Sequence, residues 1–105
     1  MSQIKRQIKR RPLHIAAAEA GLSPELVIRF VFFRWIVPLE LTADISIDLD
    51  KDAENLLLDD EDIARARLIC ELQQELGVND ESIPIILNLI DQLHRIRTEM
   101  ENRLD

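Results

Sequence analysis

The sequence predicts a mostly α fold: a helix–turn–helix pair, a β-ribbon, a further helix and a long C-terminal helix. Three observations carry this. Gly21, Leu22, Ser23 and Pro24 form a stop-and-start signal between two apolar segments. Apolar and polar residues alternate strictly from Leu39 to Asp50, and apolar residues recur at three- and four-residue spacing from Ile83 to Leu104.

The first element is the short Ala-rich segment LHIAAAEA, residues 13–20, which Gly21 can end in the left-handed conformation. Ser23 then caps a second helix with Pro24 at its first position, running to about Trp35. This helix holds every aromatic residue of the chain, Phe30, Phe32, Phe33 and Trp35. From Leu39 the period changes to two. Leu39, Leu41, Ala43, Ile45, Ile47 and Leu49 alternate with Glu40, Thr42, Asp44, Ser46, Asp48 and Asp50, as in a strand with one buried face. DKDAEN turns the chain, and Leu56–Leu58 returns as the partner strand. A helix pair followed by a β-ribbon is a winged helix.

Asp59 opens the next helix, with Asp60, Glu61 and Asp62 on a first turn whose free N–H groups and dipole favour carboxylates. Gly77 ends it. The last helix begins between Asn79 and Ile83, with Pro84 tolerated near its start. Ile83, Ile86, Ile90, Leu93, Arg97, Met100 and Leu104 trace a coiled-coil-like seam broken at Arg97, widened by Leu89 and Ile96. A helix of ~20 residues is about 30 Å long, more than a small wing domain covers. The surplus face predicts a homodimer through Ile90, Leu93 and Met100. The predicted organisation is a basic arm over residues 1–12, a winged helix-turn-helix over 13–78 and a long helix over 79–105.

The 105 residues suffice for one domain, or one domain with an appended helix, and 47% hydrophobic content is ordinary for a globular chain. The net charge of −7 is unevenly placed. Residues 1–38 carry seven bases against Glu19 and Glu25, whereas residues 39–105 carry eighteen acids against six bases. The first eleven residues contain a tandem QIKR, which reads first as a solvated arm, with an edge strand or a helical extension as alternatives. There is no apolar signal-peptide core, and no apolar run approaches the ~20 residues of a membrane span. A lone Cys70 excludes an internal disulfide and fits a reducing compartment, so the expectation is a cytoplasmic protein without a membrane partner.

Chemistry finds little footing. His14, His94 and Cys70 are too few for a zinc or redox site, and two glycines build no phosphate-cradling loop, so neither a metal nor another cofactor is expected. Cys70 falls on an apolar helix face and reads as packing. The sequence points away from an enzyme. DNA binding is the main rival to a protein-binding role, because winged helices often read a groove. On the second helix, however, Glu25 and Arg29 make one narrow polar face between apolar arcs. The wing's polar face is Glu40, Asp44, Asp48 and Asp50, which phosphates would repel. The arm cations Lys5, Arg6, Lys9, Arg10 and Arg11 offset this in part. The aromatic cluster either meets a protein partner or fills the core between helix, wing and last helices.

Two stretches carry a family resemblance. GLSPELVIRFVFFRWIVP resembles the G-hydrophobic-S…I-R-aromatic…hydrophobic-P pattern of MerR-like winged helices, with Arg29, Ile36 and Pro38 in matching places. LDDEDIARARLICELQQELGVNDESIPIILNLIDQLHRIRTEMENRL resembles the chaperone-modulator, CbpM-type branch. There the matches are Leu58-Asp59-Asp60, Leu76-Gly77-Val78-Asn79 and the Leu87, Leu89, Asp91 spacing. Ser82 stands where a Gly is common, Phe32 and Phe33 replace polar positions of the DNA-binding relatives, and the arm is extra. The resemblance implies a regulator that binds the J-domain of a DnaJ-like, CbpA-type co-chaperone and inhibits it. A J-domain offers a basic helix to its heat-shock chaperone, and an acidic chain can compete for that surface. Arg29, Phe33, Asp59, Asp60 and Asp62 are the candidate partner contacts; for the three aspartates, plain helix capping reads equally well. The alternatives are a MerR-like DNA-binding transcriptional regulator and a dimeric adaptor with another partner.

Overall fold

A computed structural model describes residues 9–39, 41 and 49–103. The chain is mostly helical, with a small two-stranded antiparallel sheet. In order it forms β1 (Arg11–Pro12), α1 (Leu13–Glu19), α2 (Pro24–Phe32) and α3 (Leu49–Asp52). A 3-10 turn (Ala53–Asn55), β2 (Leu57–Leu58), α4 (Asp60–Gln74) and α5 (Ile83–Arg103) follow. It divides into two compact units, Met1–Leu68 and Ile69–Asp105. That division falls inside α4, whereas the sequence places its domain boundary after residue 78.

In the first unit α1 packs on α2, on the 3-10 turn and on both strands. Leu13, Ala17, Val27, Phe30, Val31, Ile36 and Leu58 are almost wholly buried, so the core is built from both helices and the sheet. The turn between α1 and α2 follows the predicted chemistry. Gly21 sits at φ 75°, its amide donating to the Ala18 carbonyl at 3.1 Å and the Leu22 amide to Ala17 at 2.8 Å. This paired pattern satisfies the last carbonyls of a helix. The Ser23 Oγ accepts from the Leu26 amide at 3.4 Å, capping α2 with Pro24 at its first position.

Two readings need correction. The return strand exists as β2, but its neighbour is Arg11–Pro12, in register Arg11↔Leu58 and Pro12↔Leu57. The pairing continues into α1, where the Leu13 amide donates to the Leu56 carbonyl at 2.7 Å. The strand expected over residues 39–50 lies largely outside the described residues. At its ends Leu39 and Leu41 have helical backbone, the Leu41 amide donates to the Pro38 carbonyl at 3.0 Å, and Leu49 opens α3. Aspartate is depleted from strands, so apolar–acidic alternation is a weaker strand signal than apolar alternation with Thr or Val. The DKDAEN turn is instead the end of α3 and the 3-10 turn.

The second correction concerns α2, which stops at Phe32, three residues before Trp35. Arg34 takes the left-handed conformation, φ 63°, that glycine usually supplies. Its amide donates to Val31 at 3.0 Å and the Trp35 amide to Phe30 at 3.0 Å, repeating the pattern at Gly21.

In the second unit Ile69, Cys70, Ile83 and Leu87 are buried. The Ser82 amide donates to Asn79 Oδ1 at 2.9 Å ahead of α5, and Gln73 Nε2 donates to Asp80 Oδ1 at 2.6 Å. Helix α5 spans 21 residues, close to its predicted extent. No described helix is long and apolar enough to cross a membrane.

Candidate functional site

Two surface regions of the first unit hold the predicted contact residues. The first is the end of α2. Phe30 and Trp35 are buried, their rings 5.7 Å apart, while Phe33 meets Trp35 in a tilted pair with centroids 4.8 Å apart and has 47% of its surface exposed. Phe32 is exposed to the same extent, and Val37 and Leu39 extend the apolar area. Arg29 and Arg34 are exposed beside them in the chain. The aromatic cluster is therefore divided: two rings hold the core and two are left to solvent. Neither single reading of the cluster, core or partner surface, covers all four.

The second region is the start of α4. Asp59 Oδ1 accepts from the Asp62 amide at 2.9 Å, and Asp62 Oδ2 accepts from the Asp59 amide at 3.0 Å. This reciprocal box satisfies two backbone donors at once, with aspartate where glutamate or glutamine is usual at the third position. Burial pushes the Asp62 carboxyl up to about 6; the Asp59 amide pulls it down and the Asp59 charge raises it further. Both carboxylates are half-buried and occupied in capping. Asp60 differs: its side chain is 85% exposed and meets the Arg11 guanidinium at 3.2 Å.

Arg11, placed by the sequence in a basic arm that left an edge strand open as an alternative, is a junction in β1. Its Nη1 pairs with Glu19 Oε1 of α1 at 2.8 Å and its Nη2 with Asp60 of α4, tying β1 to two helices. Its Nε is buried without a hydrogen-bond partner. Arg67 Nη2 donates to the Ala20 carbonyl at 3.3 Å, a cation at the C-terminus of α1. These groups rim a cleft of ≈ 320 Å³ floored by Ala16, Ala20 and Ile63. Lys9 and Arg10 are exposed, and Lys5 and Arg6 lie outside the described residues.

A hydrogen bond joins the end of α2 to the first half of α4. Arg65 Nε donates to the Trp35 carbonyl at 2.6 Å. This fixes the backbone beneath Phe33 to the helix that carries Asp59, Asp60 and Asp62. Arg34 and Phe32, both exposed, were not among the candidate contacts. The signal available was the string FRW itself, in which a helix can continue or turn.

Among the described residues no group of three or more His, Cys, Asp or Glu could hold a metal ion. Burial and the Glu71 charge raise the Cys70 thiol above its ordinary value, opposite to the shift that activates a nucleophile. The two regions present exposed rings with cations at one helix end, and carboxylates at the start of another. The predicted dimer residues Ile90, Leu93 and Met100 lie on α5 and are exposed. Comparison with known proteins gives no match: no family model, no curated protein and no solved structure matches this chain.

Proposed function

We propose that this chain is a non-enzymatic regulator that binds the J-domain of a DnaJ-like, CbpA-type co-chaperone and inhibits its co-chaperone and DNA-binding activity. The observation that carries the reading is the exposure of Phe32 and Phe33 at the end of α2, where a DNA-reading helix needs polar side chains. Exposed rings beside charged groups suit a protein surface, where aromatic and arginine anchors supply most of the binding energy. Arg29 and Phe33 form one half of the proposed contact, and Asp59, Asp60 and Asp62 the other. Of the three acids, Asp60 is the one to meet a basic J-domain helix, because Asp59 and Asp62 are occupied in capping. The MerR-like winged helix-turn-helix form belongs to the same proposal and draws on the Gly21–Ser23 turn between α1 and α2. So does a cytoplasmic homodimer through Ile90, Leu93 and Met100.

Calorimetric titration with the isolated J-domain of a co-chaperone from the same cell, with duplex DNA as control, tests it. Saturable J-domain binding with silent DNA supports the reading; a silent J-domain sinks it. The second reading, a MerR-like DNA-binding regulator, draws on the exposed cations Lys9, Arg10, Arg29 and Arg34. It predicts DNA binding that weakens with salt at a slope of about −0.9 per phosphate contacted.

A further inference from the structure

The cleft floored by Ala16, Ala20 and Ile63 lies within the first unit, between α1 and the opening turns of α4. Small side chains on its floor leave ≈ 320 Å³ of space, at the lower end of the range for small-ligand pockets. Four charged groups rim it: Arg11, Glu19, Asp60 and Arg67. The two carboxylates come from different helices and meet on one guanidinium. Arg11 Nη1 reaches Glu19 Oε1 at 2.8 Å, and Nη2 reaches Asp60 Oδ1 at 3.2 Å. The rim therefore already grips the head group of one arginine.

Arg11 is an imperfect occupant. Its outer nitrogens are divided between two carboxylates, short of the two parallel bonds to one carboxylate that make arginine a strong partner. Its Nε is buried without a hydrogen-bond partner, so one donor is left unused. Both acids stay open to an incoming group, with side-chain exposures of 53% for Glu19 and 85% for Asp60. Ion pairs this exposed are weak and exchange at little cost. Charge decides what exchanges. Arg67 is held at the Ala20 carbonyl, at 3.3 Å. With Arg11 withdrawn, the rim carries two carboxylates against Arg67, an excess of negative charge that one cation balances. Asp59, Glu61 and Asp62 beside Asp60 strengthen the attraction for a basic group. Arginine suits the site better than lysine. Its planar fork can span both carboxylates as Arg11 does, while its aliphatic stem lies against the apolar floor.

We infer that this cleft receives one arginine side chain of a basic partner helix, and that Arg11 occupies the two carboxylates in the free chain as an internal competitor. The inference deepens the J-domain reading and rests on it for the identity of the partner; the cleft itself is tested without one. Capped arginine, N-acetyl-arginine amide, is titrated into the full-length chain and followed through the backbone amide resonances. Arg11→Gln is expected to bind it saturably, with shifts at Glu19, Asp60 and Ala64. Binding is expected to be about threefold tighter than to the unsubstituted chain, the scale of one exposed ion pair. Capped lysine is expected to bind more weakly, and Arg11→Gln combined with Asp60→Asn to lose the response. Arg11→Met, which keeps most of the stem, replaces Arg11→Gln if circular dichroism shows that variant unfolded. No saturable response in a folded Arg11 variant, or an equal response in the unsubstituted chain, overturns the inference. Toward the J-domain, Arg11→Gln is expected to bind about threefold more tightly, and Glu19→Gln and Asp60→Asn about threefold more weakly. A J-domain that binds Arg11→Gln less well, or all three variants alike, overturns the competition. A J-domain silent toward every variant, while Arg11→Gln takes capped arginine, sinks the J-domain reading and leaves the cleft as an arginine site.

Discussion

The Trp35 amide donates to the Phe30 carbonyl at 3.0 Å while the two rings lie 5.7 Å apart. One residue pair thus closes the end of α2 through its backbone and seals it through its side chains. This is the hydrophobic contact that accompanies a left-handed helix end, and it explains two of the four aromatics clustered in this segment.

Removing the indole leaves a cavity under a helix end and exposes the last turn. Trp35→Ala is expected to cost about 3–5 kcal/mol in urea or guanidinium unfolding. Phe33→Ala, on a ring half in solvent, is expected to cost about 1 kcal/mol. If Phe33 anchors a partner, the same variant weakens J-domain binding by tenfold or more while the fold persists. Equal destabilisation by the two substitutions would show that Phe33 belongs to the core.

Arg34 occupies a backbone conformation that strains a side chain by about 1–2 kcal/mol. Arg34→Gly relieves it at some entropic cost, so a net gain of about 0.5–1 kcal/mol is expected by chemical denaturation. A residue kept at such a position for its cation should matter to binding. The stabilised variant is expected to bind its partner more weakly, and undiminished binding would remove Arg34 from the contact surface.

Asp62 gives a pH dependence of definite sign. Its carboxyl titrates near 6 in the folded chain against 3.8 ordinarily, chiefly because burial disfavours the charge. Between those values the folded state holds a proton that the unfolded state has released. The contribution to stability is therefore full below about pH 3.8 and lost as pH rises through about 6. Asp62→Asn keeps an acceptor for the Asp59 amide and removes the charge. It is expected to be more stable at pH 7 by about 1 kcal/mol, after allowance for solvent screening, and to lose the advantage at pH 4. Thermal melts of both proteins across this range measure it; a stability gain that persists unchanged at pH 4 contradicts the assignment.

Arg11 joins β1 to α1 and α4 through two partly exposed ion pairs, each worth little alone. Arg11→Ala is expected to cost about 1 kcal/mol, and a double-mutant cycle with Glu19→Ala should give a coupling below that. If Arg11 were instead a phosphate contact of a free arm, its removal would leave stability untouched and reduce the salt slope of DNA binding by about one.

What could be read from the sequence was local. Gly21, Ser23 and Pro24 place the α1–α2 turn because each residue's chemistry is specific to a helix end. The length of α5 follows from spacing that only a helix can use. The sheet could not be read in the same way. Its strands are two residues each and lie 46 positions apart along the chain, joined by a register that no local period encodes. Alternation over 39–50 suggested a nearer partner. The end of α2 escaped because an arginine, not a glycine, takes the left-handed position. Of the candidate partner contacts, Phe33 and Asp60 are exposed, but the sequence pattern could not separate Asp60 from Asp59 and Asp62, whose carboxylates the backbone already uses. Along α5, spacing alone did not separate the buried Ile83 and Leu87 from the exposed Leu89, Leu93, Ile96 and Met100.

The placement of two rare residues has an experimental consequence. Trp35, the sole indole, is buried in the unit formed by Met1–Leu68, and Cys70, the sole thiol, is buried in the unit formed by Ile69–Asp105. Each unit therefore carries one native spectroscopic or chemical reporter, and no label has to be introduced. Indole fluorescence follows the opening of the first unit, and the rate at which a thiol reagent modifies Cys70 follows the second. If the two signals share one transition in denaturant, the chain melts as a single cooperative body. If they separate, the boundary inside α4 is a seam along which the protein comes apart in stages.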